Sequence, residues 1–310
     1  MSEKYLHTLT GLVSARELGM ILPHEHIFVD LRGPSVPDYA HADAEDVIRL
    51  MKPFLDAVWQ AGVTAFIECT PPGVGRNVPI LRRVAKITPM RIVTPTGLYR
   101  ESFTPVAMRN LSAEELAEIW IQELTAGIEG SSIQAGFIKL AMSDTGPTDL
   151  EIRNLEAAAN ASQATGAVIA SHTTNGAIMQ VELRVLEKAG LSLDRFIWVH
   201  ADAETNSAYH LEAATRGAYV EIDAIGARAD FTAQSNYVTT LIESGYAQKI
   251  LLSHDAGWYE PGQPGGRPSG GVRGFNALFD NFLPLLRNCG ISTDILRQIT
   301  VENPFNAFAF

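Results

Sequence analysis

With 310 residues and a formal net charge of −11, the chain has the length of one closed α/β barrel and lacks the clustered Lys and Arg that a nucleic-acid backbone requires. Hydrophobic residues make up 46% and charged residues 19%, which suits one large buried core, and no stretch approaches the roughly 20 consecutive apolar residues of a membrane span. Met1 to Gly11 lacks the basic-then-apolar order of a secretory leader, and two cysteines, Cys69 and Cys289, are too few for a disulfide scaffold, so a soluble cytoplasmic protein that binds neither nucleic acid nor membrane is expected.

In chain order, eight short apolar runs rich in Val, Ile, Thr and aromatics read as strands: Met20–His26, Thr64–Thr70, Arg91–Leu98, Ala135–Met142, Ala167–Thr173, Phe196–Ala201, Ala218–Ala224 and Lys249–Ala256. Most are continuously apolar, as strands buried on both faces of a parallel sheet must be. Helical patterns lie between them. Ala44–Ala61 repeats Val47, Leu50, Met51, Phe54, Leu55 and Val58 at spacings of three and four, and Ser112 with Glu115 forms a capping box before Leu116–Leu124. Further helices are predicted at Asn77–Ile87, Leu150–Thr165, Ala177–Ala189, Ser207–Arg216, Ala233–Ser244, Phe275–Asn288 and Thr293–Ile299. Strand then helix, eight times over, predicts a single-domain (β/α)₈ TIM barrel spanning 1–310. A doubly wound sheet is the alternative, weakened by the lack of Gly-x-Gly-x-x-Gly after the first strand.

In such a barrel the active site lies at the C-terminal ends of the strands. His24 and His26 end the first strand in Leu22-Pro23-His24-Glu25-His26, Lys139 lies in the fourth, His172 ends the fifth, His200 the sixth, and Asp255 the eighth. Histidines at i and i+2 on a strand point to one face and can grip one ion. A lone strand histidine is more often a hydrogen-bonded core residue, and Asp255 alone could cap a helix. Lys139 has fewer ordinary explanations, because a buried ammonium must be paired or chemically altered. Together the six point to a metal site, and imidazole donors suit Zn, Co, Fe, Ni or Mn.

This constellation resembles the phosphotriesterase family of the amidohydrolase superfamily, in particular its phosphotriesterase-like lactonase branch. The matching stretches run from about Thr10 to Phe308: His24-Glu25-His26, Gly97-Leu98-Tyr99-Arg100, Gly136-Phe137-Ile138-Lys139, Ala170-Ser171-His172-Thr173, the strand ending at His200, Ser253-His254-Asp255 and Glu302-Asn303-Pro304. The resemblance implies two divalent ions, zinc foremost and Co, Mn or Fe as alternatives. His24, His26 and Asp255 would bind the more buried ion, His172 and His200 the more exposed one, and Lys139, carboxylated by carbon dioxide, would bridge them. It further implies a metal-bridging hydroxide as nucleophile, Asp255 as proton acceptor, Tyr99 positioning the ester, and a homodimer.

Two departures from the family pattern concern the proton relay. Asp223 is followed by Ala224 where the relatives carry His or Arg, and Ala203 replaces a carboxylate after the sixth strand; His254, Asp202 or Asp223 could substitute. Phe28 in the first loop and Trp258 and Tyr259 in the eighth are candidate substrate-binding residues, with ordinary loop packing as their plainer explanation, and Arg267 and Arg273 are candidate anion contacts. The expected function is hydrolysis of a small-molecule lactone or carboxyl ester with promiscuous phosphotriester turnover. A true phosphotriesterase acting on organophosphates is the alternative within the class. Outside it stand a Schiff-base aldolase using Lys139, which leaves the histidines unexplained, and a non-catalytic small-molecule binder, which the intact ligand set argues against.

Overall fold

The structure, a computed structural model, describes residues 3–310; Met1 and Ser2, which begin the segment read for leader character, lie outside it. An antiparallel hairpin comes first, β1 (Leu6–Thr8) with β2 (Gly11–Val13). Three residues per strand carry too little periodicity to be recognised in sequence. Leu9 N–H donates to Ile92 O at 2.8 Å, so the hairpin lies against the N-terminal ends of the barrel strands.

The barrel strands are β3 (Met20–Phe28), β4 (Val63–Glu68), β5 (Arg91–Val93), β6 (Pro95–Gly97), β7 (Phe137–Ala141), β8 (Ile169–His172), β9 (Phe196–Val199), β10 (Tyr219–Ile222), β11 (Ile250–Leu252) and β12 (Gly257–Tyr259). They form two parallel runs, β11-β10-β9-β8-β7-β6 and β12-β3-β4-β5. β5 and β6 are the two halves of the third barrel strand, broken at Thr94 before Pro95, which has no N–H for the ladder. β11 and β12 are the two halves of the eighth, broken over the four residues Ser253–Ala256. The two runs thereby join into the (β/α)₈ barrel predicted from the strand–helix alternation, with the eighth strand extending three residues past its predicted end.

The helices are α1 (Ala44–Gln60), α2 (Val78–Ile87), α3 (Val106–Arg109), α4 (Ala113–Thr125), α5 (Asp149–Thr165), α6 (Gly176–Lys188), α7 (Ser207–Thr215), α8 (Thr232–Glu243), α9 (Leu283–Asn288), α10 (Thr293–Arg297) and α11 (Asn303–Phe308). The apolar stripe of α1 buries Val47, Leu50, Met51, Leu55 and Val58, and the Ser112–Glu115 capping box opens α4. The helix predicted over Phe275–Asn288 begins instead at Leu278, as a π-helical turn through Phe282 that runs into α9. The reason is local: the Leu278 N–H donates to His254 Nε2 at 3.0 Å, and Phe275 is drawn under the sheet against Phe66, with ring centroids 5.2 Å apart. No described helix is long and apolar enough to cross a membrane.

The core is layered as the strand periodicity requires. Ile21, Ala65, Ile67, Val93, Phe137, Val168, Ala170, Ile197, Val199 and Leu251 fill the barrel, closed below by Leu6 and Phe308, while their neighbours Phe66, Ile92, Ile138, Trp198 and Val220 pack outward under the helices. The rim above that filling is where polar side chains replace apolar ones. Cys69 is buried, Cys289 is exposed, and both are free thiols.

Candidate metal centre

The β3 strand delivers His24 and His26 to the rim. One ligand atom each from His24, His26 and Asp255 lie within 4.8 Å of one another, and so do atoms from His24, His200 and Asp223. His26 Nε2 is 3.0 Å from Asp255 Oδ1, and His24 Nε2 is 3.5 Å from the same oxygen. Asp255 reaches them from the break in the eighth strand, where its backbone takes φ +48°. His200 (φ +62°) and Trp258 (φ +65°) are left-handed as well. Three non-glycine residues in this disfavoured region, all at one rim, are strain held in place by the surrounding fold, a pattern associated with functional sites.

The outer ring nitrogens are held by carboxylates and a hydroxyl. Asp223 Oδ2 is 3.0 Å from His24 Nδ1, and Asp223 Oδ1 is 2.8 Å from His200 Nδ1. Thr70 Oγ1 is 2.7 Å from His26 Nδ1 and donates in turn to buried Glu68. Each arrangement fixes the ring and leaves the inward Nε2 of His24, His26 and His200 for the centre. Burial and the neighbouring Lys139 bring the His24 pKa down to about 3, keeping it neutral as metal binding requires. Burial works the same way on His26, but hydrogen bonds and charge from Asp255 and Glu68 outweigh it and carry the pKa up to about 9. Burial would raise Asp255, yet the surrounding histidines hold its carboxyl well below the usual range.

Lys139 is 2% exposed on β7, and its Nζ has no hydrogen-bond partner. An unpaired ammonium in this position would be strongly disfavoured. Its strand neighbour is Gly97 of β6, at φ +111°, where an added Cβ would lie 2.1 Å from Lys139 O, so only glycine lets the two strands approach at this level. Tyr99 follows two residues later, at the rim.

His172 ends β8 with its ring centroid 4.4 Å from that of His200, but its nitrogens are differently engaged. Tyr99 Oη is 3.1 Å from Nδ1, and Arg100 Nη2 lies 2.7 Å from Nε2 while also donating to Asp144 at 2.6 Å. His172 is therefore outside both compact ligand groups. Burial, followed by the charges of His200, Lys139 and Arg100, holds it neutral. Burial also pushes the Tyr99 hydroxyl up to about 12, so it stays protonated.

Two cavities meet over His172, His200 and Asp255. The smaller, about 150 Å³, has a largely apolar wall that includes Leu31, Val74, Tyr99 and Trp258. The larger, about 690 Å³, extends over the ends of β9, β10 and β11 past Asp202, Ala224, Gln234 and Arg273. Of the three aromatics singled out in sequence, Trp258 faces the small cavity. Phe28 and Tyr259 are buried in the core, stacked on each other with centroids 6.0 Å apart and planes 7° from parallel, because β12 pairs with β3 and turns both rings inward to the helix layer. Arg267 is exposed away from the site, and Arg76 is buried in an ion pair with Glu123.

The three candidate relay groups separate clearly. His254 is fully buried with both nitrogens engaged, one by Glu25 and the other by Leu278 N–H. Asp223 gives its two oxygens to His24 and His200. Asp202 borders the larger cavity with a carboxyl not committed to a histidine, its pKa raised to about 6 by burial and by the charge of Asp223. Sequence reasoning overlooked Glu25, which accepts from Ser253 Oγ and the N–H groups of His254 and Ala256 and so ties the eighth strand to the first. Its signal was present: a charged residue between two rim histidines on a strand interior must find buried partners. Glu221, buried with Oε2 3.4 Å from His24 Nδ1, was overlooked too.

Comparisons with known proteins extend over the whole barrel. The Phosphotriesterase family matches residues 4–308. A phosphotriesterase homology protein of Mycobacterium tuberculosis is 28% identical, covering 98% of this chain and 97% of its own. The aryldialkylphosphatase of Saccharolobus solfataricus is 27% identical over 96% and 97% of the two chains. Among solved structures, a mutant of the PTE-like lactonase of Deinococcus radiodurans superposes with a TM-score of 0.88 at 32% identity, covering 98% of this chain and 99% of its own.

Proposed function

Because the chain belongs to the phosphotriesterase family of hydrolases, we propose that it hydrolyses small-molecule lactones or carboxyl esters at a two-metal centre, with phosphotriester turnover as a side activity. In this reading His24, His26 and Asp255 hold one divalent ion, zinc foremost, and His200 with His172 holds the second. Lys139, carboxylated on Nζ, lies between the two groups. The observation that carries the proposal is the unpartnered, buried Nζ of Lys139 beside a cluster of imidazole and carboxylate donors. Carboxylation turns that isolated cation into an anion, which a pair of dications would balance. Two such ions would supply a low-pKa water and Lewis-acid polarisation of the ester oxygen.

The chain's own residues do the rest. Asp223, Thr70 and Glu68 orient the imidazoles before any substrate arrives. Asp255, whose side chain is 36% exposed, is the carboxylate placed to take up a proton at the cavity floor. The protonated Tyr99 hydroxyl, 3.1 Å from His172 Nδ1 at the edge of the small cavity, would position the ester. His172 Nε2 would be free for a metal if Arg100 kept only its other partner, Asp144. Leu31 and Trp258 line one side of the small cavity, where they would shield the reacting bond from water.

The deciding experiment reconstitutes the purified protein with Zn, Co or Mn and measures kcat/KM for lactones, aryl esters and organophosphates. A preference for lactones or carboxyl esters of about a thousandfold, roughly 4 kcal/mol in transition-state binding, is the expected result. The reverse preference would make the protein a phosphotriesterase. Metal-independent activity trapped by borohydride on Lys139 would overturn the hydrolase mechanism altogether.

A further inference from the structure

The larger cavity carries polar atoms that the chemistry above leaves unused. Gln234 is only 9% exposed, and its Nε2 donates to Asp202 Oδ2 at 3.4 Å, yet its Oε1 has no partner. Arg273 is anchored by Nη2, which donates to the carbonyl oxygens of His254 (2.7 Å) and Asp255, while its buried Nη1 has no partner. Tyr237 and Thr205 add hydroxyl-bearing side chains to the same wall, and Asp202 adds a carboxylate whose Oδ2 is fixed by the Ala224 N–H at 3.1 Å. Ala224 itself, at the end of β10, provides room that a longer side chain would fill.

Resting on the lactone reading of the metal centre, we infer that this chamber is a subsite for a hydroxylated group, which makes the preferred substrate a polyhydroxylated lactone rather than an alkyl-substituted one. The argument is one of complementarity. Arg273 Nη1 can only donate, and Gln234 Oε1 and the Asp202 carboxylate can only accept. A purely anionic substituent would meet Asp202 and Gln234 Oε1 with the wrong sign. A cationic one would meet Arg273. An alkyl chain would leave both orphaned atoms unpaired. A hydroxyl donates and accepts, so adjacent hydroxyls satisfy both kinds of wall. The small cavity on the other side of His172 and Asp255 has Leu31, Val74 and Trp258 on its wall, which suit the unsubstituted face of the ring, while its polar side chains belong to the metal centre. Discrimination by buried polar groups is strong because a substrate that lacks the matching hydroxyl leaves them unsatisfied.

The test uses the metal-reconstituted full-length protein and three γ-lactones: unsubstituted butyrolactone, an alkyl-substituted lactone and a polyhydroxylated aldonolactone. The expected result is kcat/KM at least ~10-fold higher for the aldonolactone than for butyrolactone, expressed mainly in KM. Gln234→Leu and, independently, Ala224→Leu should each reduce that ratio about tenfold while circular dichroism and melting temperature report an intact fold. A preference for the alkyl-substituted lactone, or an unchanged ratio in both folded variants, overturns the inference while leaving the lactonase reading in place. Failure to turn over any of the three lactones, with organophosphates hydrolysed, overturns the lactonase reading and the inference with it.

Discussion

Asp223 grips His200 at two points, accepting from its backbone N–H at 3.0 Å and standing 2.8 Å from its ring Nδ1. One carboxylate thus fixes both the left-handed turn and the direction of the imidazole. The same carboxylate reaches His24, so losing it loosens ligands from two strands at once. Asp223→Asn should lower metal affinity by about 10–100-fold, the usual effect of removing such a partner. Titration of the apoprotein with Zn or Co, followed by metal analysis, measures this directly. An unchanged affinity would show that Asp223 serves the backbone alone.

Lys139→Met keeps the side chain's length and removes its nitrogen. The variant should fold, since no hydrogen bond is lost, and should retain less metal per chain than the unsubstituted protein. Reconstitution of the unsubstituted protein in carbon-dioxide-free buffer should likewise give low occupancy, restored by bicarbonate. Full occupancy without bicarbonate would contradict carboxylation of Lys139.

Glu182 of α6 is fully buried, and burial lifts its carboxyl pKa from 4.5 to about 8. The folded protein therefore binds this proton more tightly than the unfolded chain. The stability linked to it is fully present below about pH 4.5 and is lost as the pH rises through 8. Glu182→Gln, which cannot ionise, should gain on the unsubstituted protein between pH 5 and pH 9, by an amount on the order of a few kcal/mol. Melting curves of both proteins across that range check the sign. A constant difference would mean that Glu182 does not titrate there.

Glu25→Ala removes the acceptor for four donors from Ser253, His254 and Ala256. A destabilisation of about 3–5 kcal/mol is expected, as for other buried polar networks that lose one member. The urea midpoint measures it. Glu25→Gln, which keeps part of the accepting capacity, should lose less.

The barrel and the positions of its rim residues were legible because strand–helix alternation and strand ends are properties of local sequence. His24, His26, Lys139, His172, His200 and Asp255 were all found by that rule, and the ligand atoms of His24, His26 and Asp255 do converge. The engagement of His172 by Arg100 was not legible, since it depends on how far a flexible guanidinium reaches from another strand. Nor was the inward turn of Phe28 and Tyr259. It follows from β12 pairing with β3 across 231 positions of sequence, and aromatic content alone does not reveal which face of a strand a ring takes. The missing side chain at Ala224 was legible in sequence, but that it opens onto the large cavity only the fold discloses.

The tie between Glu25 and the eighth strand also sets a schedule. Two members of one ligand group come from residues 24 and 26 and the third from residue 255, 229 positions after His26. During synthesis on the ribosome, every histidine of the centre emerges before the aspartate that completes it. Until Asp255 and β12 are released and dock beside β3, the early strands expose open sheet edges and a half-built ligand cluster. Metal capture would thus be a late event in the life of each chain, and an ion bound in the finished site would report that the ring of strands has closed.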